Sequence, residues 1–121
     1  MKILVLEDES ERRPWFAETF AGCEITFTAR VEPTLKALRR EEYDLIFLDR
    51  DLGQPKENGE DVAWQMKTEG LAKNAIVVAH TVNPHGQRAI ERYLKDTVAE
   101  VHVIPFPTLR KMKREDFLAS S

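Results

Sequence analysis

Two short acidic segments carry the residue types in this chain best suited to chemistry. Glu7-Asp8-Glu9 follows the apolar run Lys2-Ile3-Leu4-Val5-Leu6, and Asp49-Arg50-Asp51 follows Leu45-Ile46-Phe47-Leu48. Carboxylates gathered at one point repel one another unless a hard cation such as Mg²⁺ neutralises them. A single cluster reads as a loop start or helix cap, since Asp and Glu favour helix N-termini. Two clusters, one of them Asp-x-Asp, each ending a strand-like run, point instead to a metal-dependent acidic pocket. A third apolar run, Ala75–Ala79, ends in His80-Thr81. An imidazole placed there could bind a metal, donate to a phosphate or move a proton.

The elements that must position these groups alternate along the chain. Strand candidates are Lys2–Leu6, Glu24–Thr28, Leu45–Leu48, Ala75–Ala79 and Glu100–Ile104. The first, third and fourth are nearly continuous apolar runs, as expected of strands covered on both faces. Between them lie helical stripes. Pro33 fits a first turn ahead of Leu35 and Leu38, while Val62, Ala63 and Met66 follow Gly59. Ala89, Ile90, Tyr93 and Leu94 follow Gly86, and the tail 108–118 repeats the pattern with Leu109, Met112 and Phe117. Five βα repeats with right-handed crossovers give a doubly wound parallel α/β sheet. Order 2-1-3-4-5 places the first and third strands side by side, so the two acidic clusters meet at the switch point where ligands bind.

With 121 residues, the chain is expected to form one domain, 1–121, with no output module. Its net charge of −3 argues against general nucleic-acid or membrane binding. Cys23 is the one cysteine, so no internal disulfide forms, and it reads as a small core residue before the second strand. The apolar run after Lys2 is too short for a signal peptide or a span, so the expected location is cytoplasmic. Trp15 and Trp64 read as packing residues on helix faces. Arg110-Lys111 with Lys113-Arg114 reads as a solvated basic face.

On these segments the chain resembles a response-regulator receiver domain, over essentially its full length. KILVLEDE is similar to the family's first strand and acidic pair, DLIFLDRDL to the third strand and its phosphoacceptor, and IVVAHT to the fourth strand with its hydroxyl residue. Gly59 matches the glycine that opens the third helix, although the loop before it, 53–58, looks slightly long. The resemblance implies a flavodoxin-like three-layer sandwich with Mg²⁺ held by Asp8, Asp49 and the Asp51 carbonyl. It further implies Glu7 acting through a water, Asp49 as phosphoacceptor and Thr81 contacting the phosphoryl group. A histidine kinase or phosphotransfer protein would be the implied donor, with another protein docking on the face made by the fourth helix, the fifth strand and the fifth helix.

Two positions depart from that pattern. Ile104 stands where receivers carry a lysine, so one cationic contact to the transferred group is missing. Val101 stands where the switch aromatic belongs. A narrower resemblance runs through LDRDLG and HTVNPHG, which are similar to a divergent receiver group proposed to process cyclic phosphates, with Arg50 in place of that group's first histidine. It implies a metal-dependent phosphoesterase using Asp49 and His80. Asn83-Pro84-His85-Gly86 also reads simply as a turn into the fourth helix, with His85 facing solvent.

Overall fold

A computed structural model describes residues 1–52 and 58–118. Residues 53–57, read above as a slightly long loop, lie outside the described part. The strands are β1 (Lys2–Leu6), β2 (Glu24–Thr28), β3 (Leu45–Leu48), β4 (Ile76–Ala79) and β5 (Glu100–Val103). They form one parallel sheet in the order β2-β1-β3-β4-β5, as the sequence reading expects. The helices are α1 (Arg13–Thr19), α2 (Val31–Arg40), α3 (Gly59–Glu69), α4 (Pro84–Leu94), α5 (Phe106–Leu109) and α6 (Arg114–Leu118), with a 3₁₀ turn at Ser10–Arg12.

Strand side chains alternate between the two faces of the sheet, and each face builds its own core. Leu4, Leu6, Ile46, Leu48, Val77 and Ala79 pack on residues of α2, α3 and α4. Ile3, Val5, Leu45, Phe47 and Val78 pack on the other face against Phe16, Phe20, Leu109 and Phe117. That second layer is aromatic. The Phe47 ring lies 5.0 Å from Phe16, 5.7 Å from Phe20 and 5.7 Å from Phe117. Such tilted or edge-on pairs contribute about 0.5–1.5 kcal/mol each beyond their buried area.

The tail departs from the expected single helix. It breaks into α5 and α6, because the backbone N–H of Lys113 is taken by the Asp116 carboxylate at 2.8 Å, a restart cap. Closely spaced cations from Arg110 to Arg114 also disfavour a continuous turn there. The break lets both Leu109 and Phe117 reach the aromatic layer.

Trp64 is 51% exposed and edge-on to Tyr93 at 5.4 Å, so from its helix face it packs on a neighbouring helix rather than in a core. Cys23 is half-buried, with its Sγ 3.2 Å from Nη2 of Arg114. Among the described residues no helix is long and apolar enough to cross a membrane.

Candidate functional site

Parallel register carries the site. Leu6 pairs with Leu48, and Leu48 with Ala79. The next residue on each strand is therefore Glu7, Asp49 and His80, in line across the sheet. The backbone continues the ladder one step: Asp49 N–H donates to Leu6 O at 3.1 Å, and His80 N–H to Leu48 O at 3.0 Å. By alternation all three side chains share the face of Val5, Phe47 and Val78, the aromatic one. His80 accordingly stands 5.7 Å from the Phe16 ring.

The three side chains are almost wholly buried and touch. His80 Nε2 lies 3.0 Å from Glu7 Oε1, while the buried Nδ1 of His80 has no hydrogen-bond partner. Donor atoms of Glu7, Asp49 and His80 all fall within 4.8 Å of one another. Each carboxyl has one backbone tie: Glu9 N–H donates to Glu7 Oε2 at 3.1 Å, and Asp51 N–H to Asp49 Oδ1 at 3.1 Å.

Burial sets the ionisation. It pushes the Glu7 carboxyl above its ordinary range and Asp49 up to about 7, where the neighbouring Glu7 charge adds to the effect. Burial also drives His80 down to about 4, so the imidazole is neutral near pH 7. Two buried carboxyls held together thus keep a proton that separated ones would lose. A divalent cation can take that proton's place, and the carboxylate oxygens gathered here are the hard donors such a cation takes.

Asp8 is half-buried beside Glu7 and stands outside this trio. The Asp51 side chain is engaged elsewhere. Its Oδ1 accepts from Arg50 Nη1 at 2.9 Å and its Oδ2 from Thr81 Oγ1 at 2.9 Å. Thr81 Oγ1 in turn accepts Asn83 N–H at 3.1 Å, and Asn83 caps α4 by accepting from Gly86 N–H at 2.9 Å, with Pro84 in the first turn. So the NPHG segment is a helix start, as one reading of the sequence had it, and His85 is exposed.

Two glycines let this loop system close. A Cβ on Gly59 would meet Asp49 O at 2.4 Å, so the start of α3 presses directly on the backbone of the acidic strand end. A Cβ on Gly86 would meet the Arg50 stem at 2.7 Å. Arg50 therefore runs over Gly86 and places its guanidinium between Asp51 and Glu60, with Nε 3.3 Å from Glu60 Oε1.

Above the trio lies a cavity of about 140 Å³, lined among others by Asp49, Asp51, His80, Thr81, Arg12 and Phe106. The sequence reading passed over Arg12 and Phe106. Neither belongs to a recognisable motif, and only the packing of the first turn against the β5–α5 corner brings them to the cavity. Ile104 and Val101 both pack into apolar layers, on opposite faces of the sheet.

The sequence profile of the cyclic-phosphate processing receiver domain matches residues 2–96, most of the chain. The chain belongs to that family. It is a divergent response-regulator receiver domain, and its solved structural neighbours agree with the fold. The phosphorylated cyanobacterial phytochrome response regulator RcpA superposes with a TM-score of 0.72 at 19% identity, over 99% of this chain and 95% of that one. The Mn²⁺-bound form of response regulator Rcp1 gives 0.67 at 18% identity, over 94% and 89%. The BeF₃-activated DrrB receiver domain gives 0.67 at 17% identity, over 98% and 92%. No curated protein matches the chain.

Proposed function

We propose that this receiver accepts a phosphoryl group on Asp49 in a Mg²⁺-dependent reaction. The observation that carries this reading is the position of Asp49, at the carboxyl end of β3, facing the cavity beside Glu7 and with one oxygen already held by Asp51 N–H. Asp8, Asp49 and the Asp51 carbonyl would hold the cation, with Glu7 behind them. When bound, the cation supplies positive charge against the crowded carboxylates and the incoming phosphoryl oxygens.

The chain's own part is positional. Asp51 N–H fixes Asp49 Oδ1, which leaves the other carboxylate oxygen to attack phosphorus. A P–O or P–N bond to the donor breaks as the acyl phosphate forms, and the donor leaves with the electron pair. Thr81, on the cavity wall, is the hydroxyl nearest to hand for a phosphoryl oxygen. A histidine kinase or phosphotransfer protein is the fitting donor, and the α4–β5–α5 face the fitting output surface.

A small phosphodonor with Mg²⁺ should give a hydroxylamine-labile adduct on Asp49, read by intact-mass and peptide mass spectrometry. A folded protein with no adduct would sink this reading.

One observation favours a second reading. The buried His80–Glu7 pair, with Nδ1 of His80 unpartnered, suits proton transfer, and the family takes its description from cyclic-phosphate processing. In that reaction water adds to phosphorus and one ring P–O bond breaks to give the monoester. His80 would take the water's proton or return it to the departing oxygen. Turnover of 2′,3′-cyclic nucleotides that falls roughly 10²-fold or more in His80→Ala would establish it, that being the usual size of a general acid–base contribution. If the receiver is a switch only, His80→Ala leaves the Asp49 adduct nearly intact.

A further inference from the structure

Any phosphate entering this cavity meets a surplus of carboxylates, and the position that usually supplies a lysine offers none. Ile104 points into a separate apolar cavity shared with Ile76, Val78, Met112 and Phe117, and it is not among the residues lining the acidic one. Of the other arginines close by, Arg13 donates through Nε and Nη2 to the Glu7 carbonyl at 3.2 and 3.0 Å. Arg50 is held between Asp51 and Glu60. That leaves Arg12 as the side chain of permanent positive charge lining the acidic cavity among the described residues.

Arg12 is also held at a useful place. Its guanidinium carbon sits 4.7 Å from the centroid of the Phe106 ring, and Phe106 is two residues beyond Ile104. The charge therefore rests on the same strand-to-helix corner from which the family's lysine would reach. Its Nε lies 2.7 Å from Glu9 Oε2, and its Nη1 3.8 Å from Glu7 Oε1. Glu9 is close to half exposed, and an ion pair so open to water is weak, so it yields readily to a better anion. A guanidinium fork bonds phosphate oxygens in pairs and keeps its charge at any working pH.

We propose that Arg12 binds the phosphate in this receiver, supplying from the first βα turn the cation that Ile104 removes from the end of β5. This rests on the reading of the acidic cavity as a phosphate site and adds to it the residue that recognises the anion. Arg12 acts on ester and monophosphate oxygens alike, so it serves either reaction considered above.

The test uses the whole chain in two assays: adduct formation with acetyl phosphate and Mg²⁺, and NMR titration with inorganic phosphate. Arg12→Ala and Arg12→Gln should each slow the adduct and weaken phosphate binding by roughly 10- to 100-fold, the range for losing a charged hydrogen bond. Arg12→Lys should keep part of both. Phe106→Leu, which leaves the charge but removes the ring beneath it, should fall between wild type and Arg12→Ala. If wild type forms the adduct and folded Arg12→Ala and Arg12→Gln match it in both assays, the inference is overturned while the phosphoacceptor reading stands. If wild type forms no adduct yet binds phosphate in an Arg12-dependent way, the phosphoacceptor reading falls and this inference stands.

Discussion

Two polar groups of similar size lie side by side at the carboxyl ends of β3 and β4, and they are built on opposite logic. Arg50, Asp51, Glu60 and Thr81 form a partly exposed network in which every charge has an opposite partner or a hydroxyl at 2.9–3.3 Å. Glu7, Asp49 and His80 are buried, carry two acids to one neutral base, and leave a ring nitrogen without a partner. A compensated network costs little to keep and has little unpaired charge to offer a ligand. An uncompensated buried cluster is held in place by its aromatic layer and is relieved by a cation. Charge alone does not mark the site; charge short of partners does.

Substitutions across the two groups should break the symmetry sharply. Asp49→Asn should abolish the phosphoryl adduct, whereas Asp51→Asn, which keeps the backbone carbonyl and N–H, should slow it only modestly. Equal loss in both, measured by mass spectrometry over a time course, would mean the two acids are not functionally distinct.

Between the groups lies Gly59, where a methyl would collide with the Asp49 carbonyl oxygen. Gly59→Ala should cost about 1–3 kcal/mol in urea unfolding, the usual range for overpacking. It should also weaken Mg²⁺ binding by moving Asp49. An unchanged urea midpoint would contradict the close approach.

Proton linkage separates the groups in a third way. Asp49 sits at about 7 in the folded protein against an ordinary 3.8, so its contribution is fully present below 3.8 and is lost as pH rises through 7. His80 sits at about 4 against 6.5, so its contribution is present above 6.5 and is lost as pH falls toward 4. Between 4 and 6.5 the two oppose each other. Above 6.5 the carboxyl effect is left alone, and metal-free protein should lose stability toward pH 7.5 while its affinity for Mg²⁺ rises. Asp49→Asn should flatten that part of the profile; a slope that survives in the variant would assign it to other groups.

The smallest effect should come from the compensated side. Arg50→Ala removes partly exposed ion pairs worth about 0–1 kcal/mol, so unfolding should change little. Its adduct yield should stay near wild type, in contrast to Arg12→Ala. A drop as large as that of Asp49→Asn would show that the Arg50 network is part of the chemistry.

The architecture was legible in the chain because its signals are local. Continuous apolar runs mark buried parallel strands, helical stripes separate them, and right-handed crossovers leave few ways to join five such units. The acidic strand ends were visible for the same reason, since a carboxylate after an apolar run must emerge at the sheet's edge. What the tail would do was less visible. Leu109, Met112 and Phe117 have helical spacing, but the cap of Asp116 on Lys113 divides it, and a cap three residues away does not alter the periodicity.

How the groups pair was a matter for the tertiary structure. Composition and spacing give Glu7, Asp49 and His80 as three separate strand ends; the register Leu6–Leu48–Ala79 puts them in one row, on one face, against one aromatic layer. One residue's shift in any strand would have turned that strand's group to the opposite face. The same register turns the Thr81 hydroxyl onto Asp51. Arg12 and Phe106, nearly the whole chain apart, meet only because the first turn and the β5–α5 corner cover the same end of the sheet. Sequence determined which chemical groups stand at the strand ends, because strand propensity and burial are local; which of them share a proton, a cation or a phosphate was decided by long-range pairing, which no local pattern encodes.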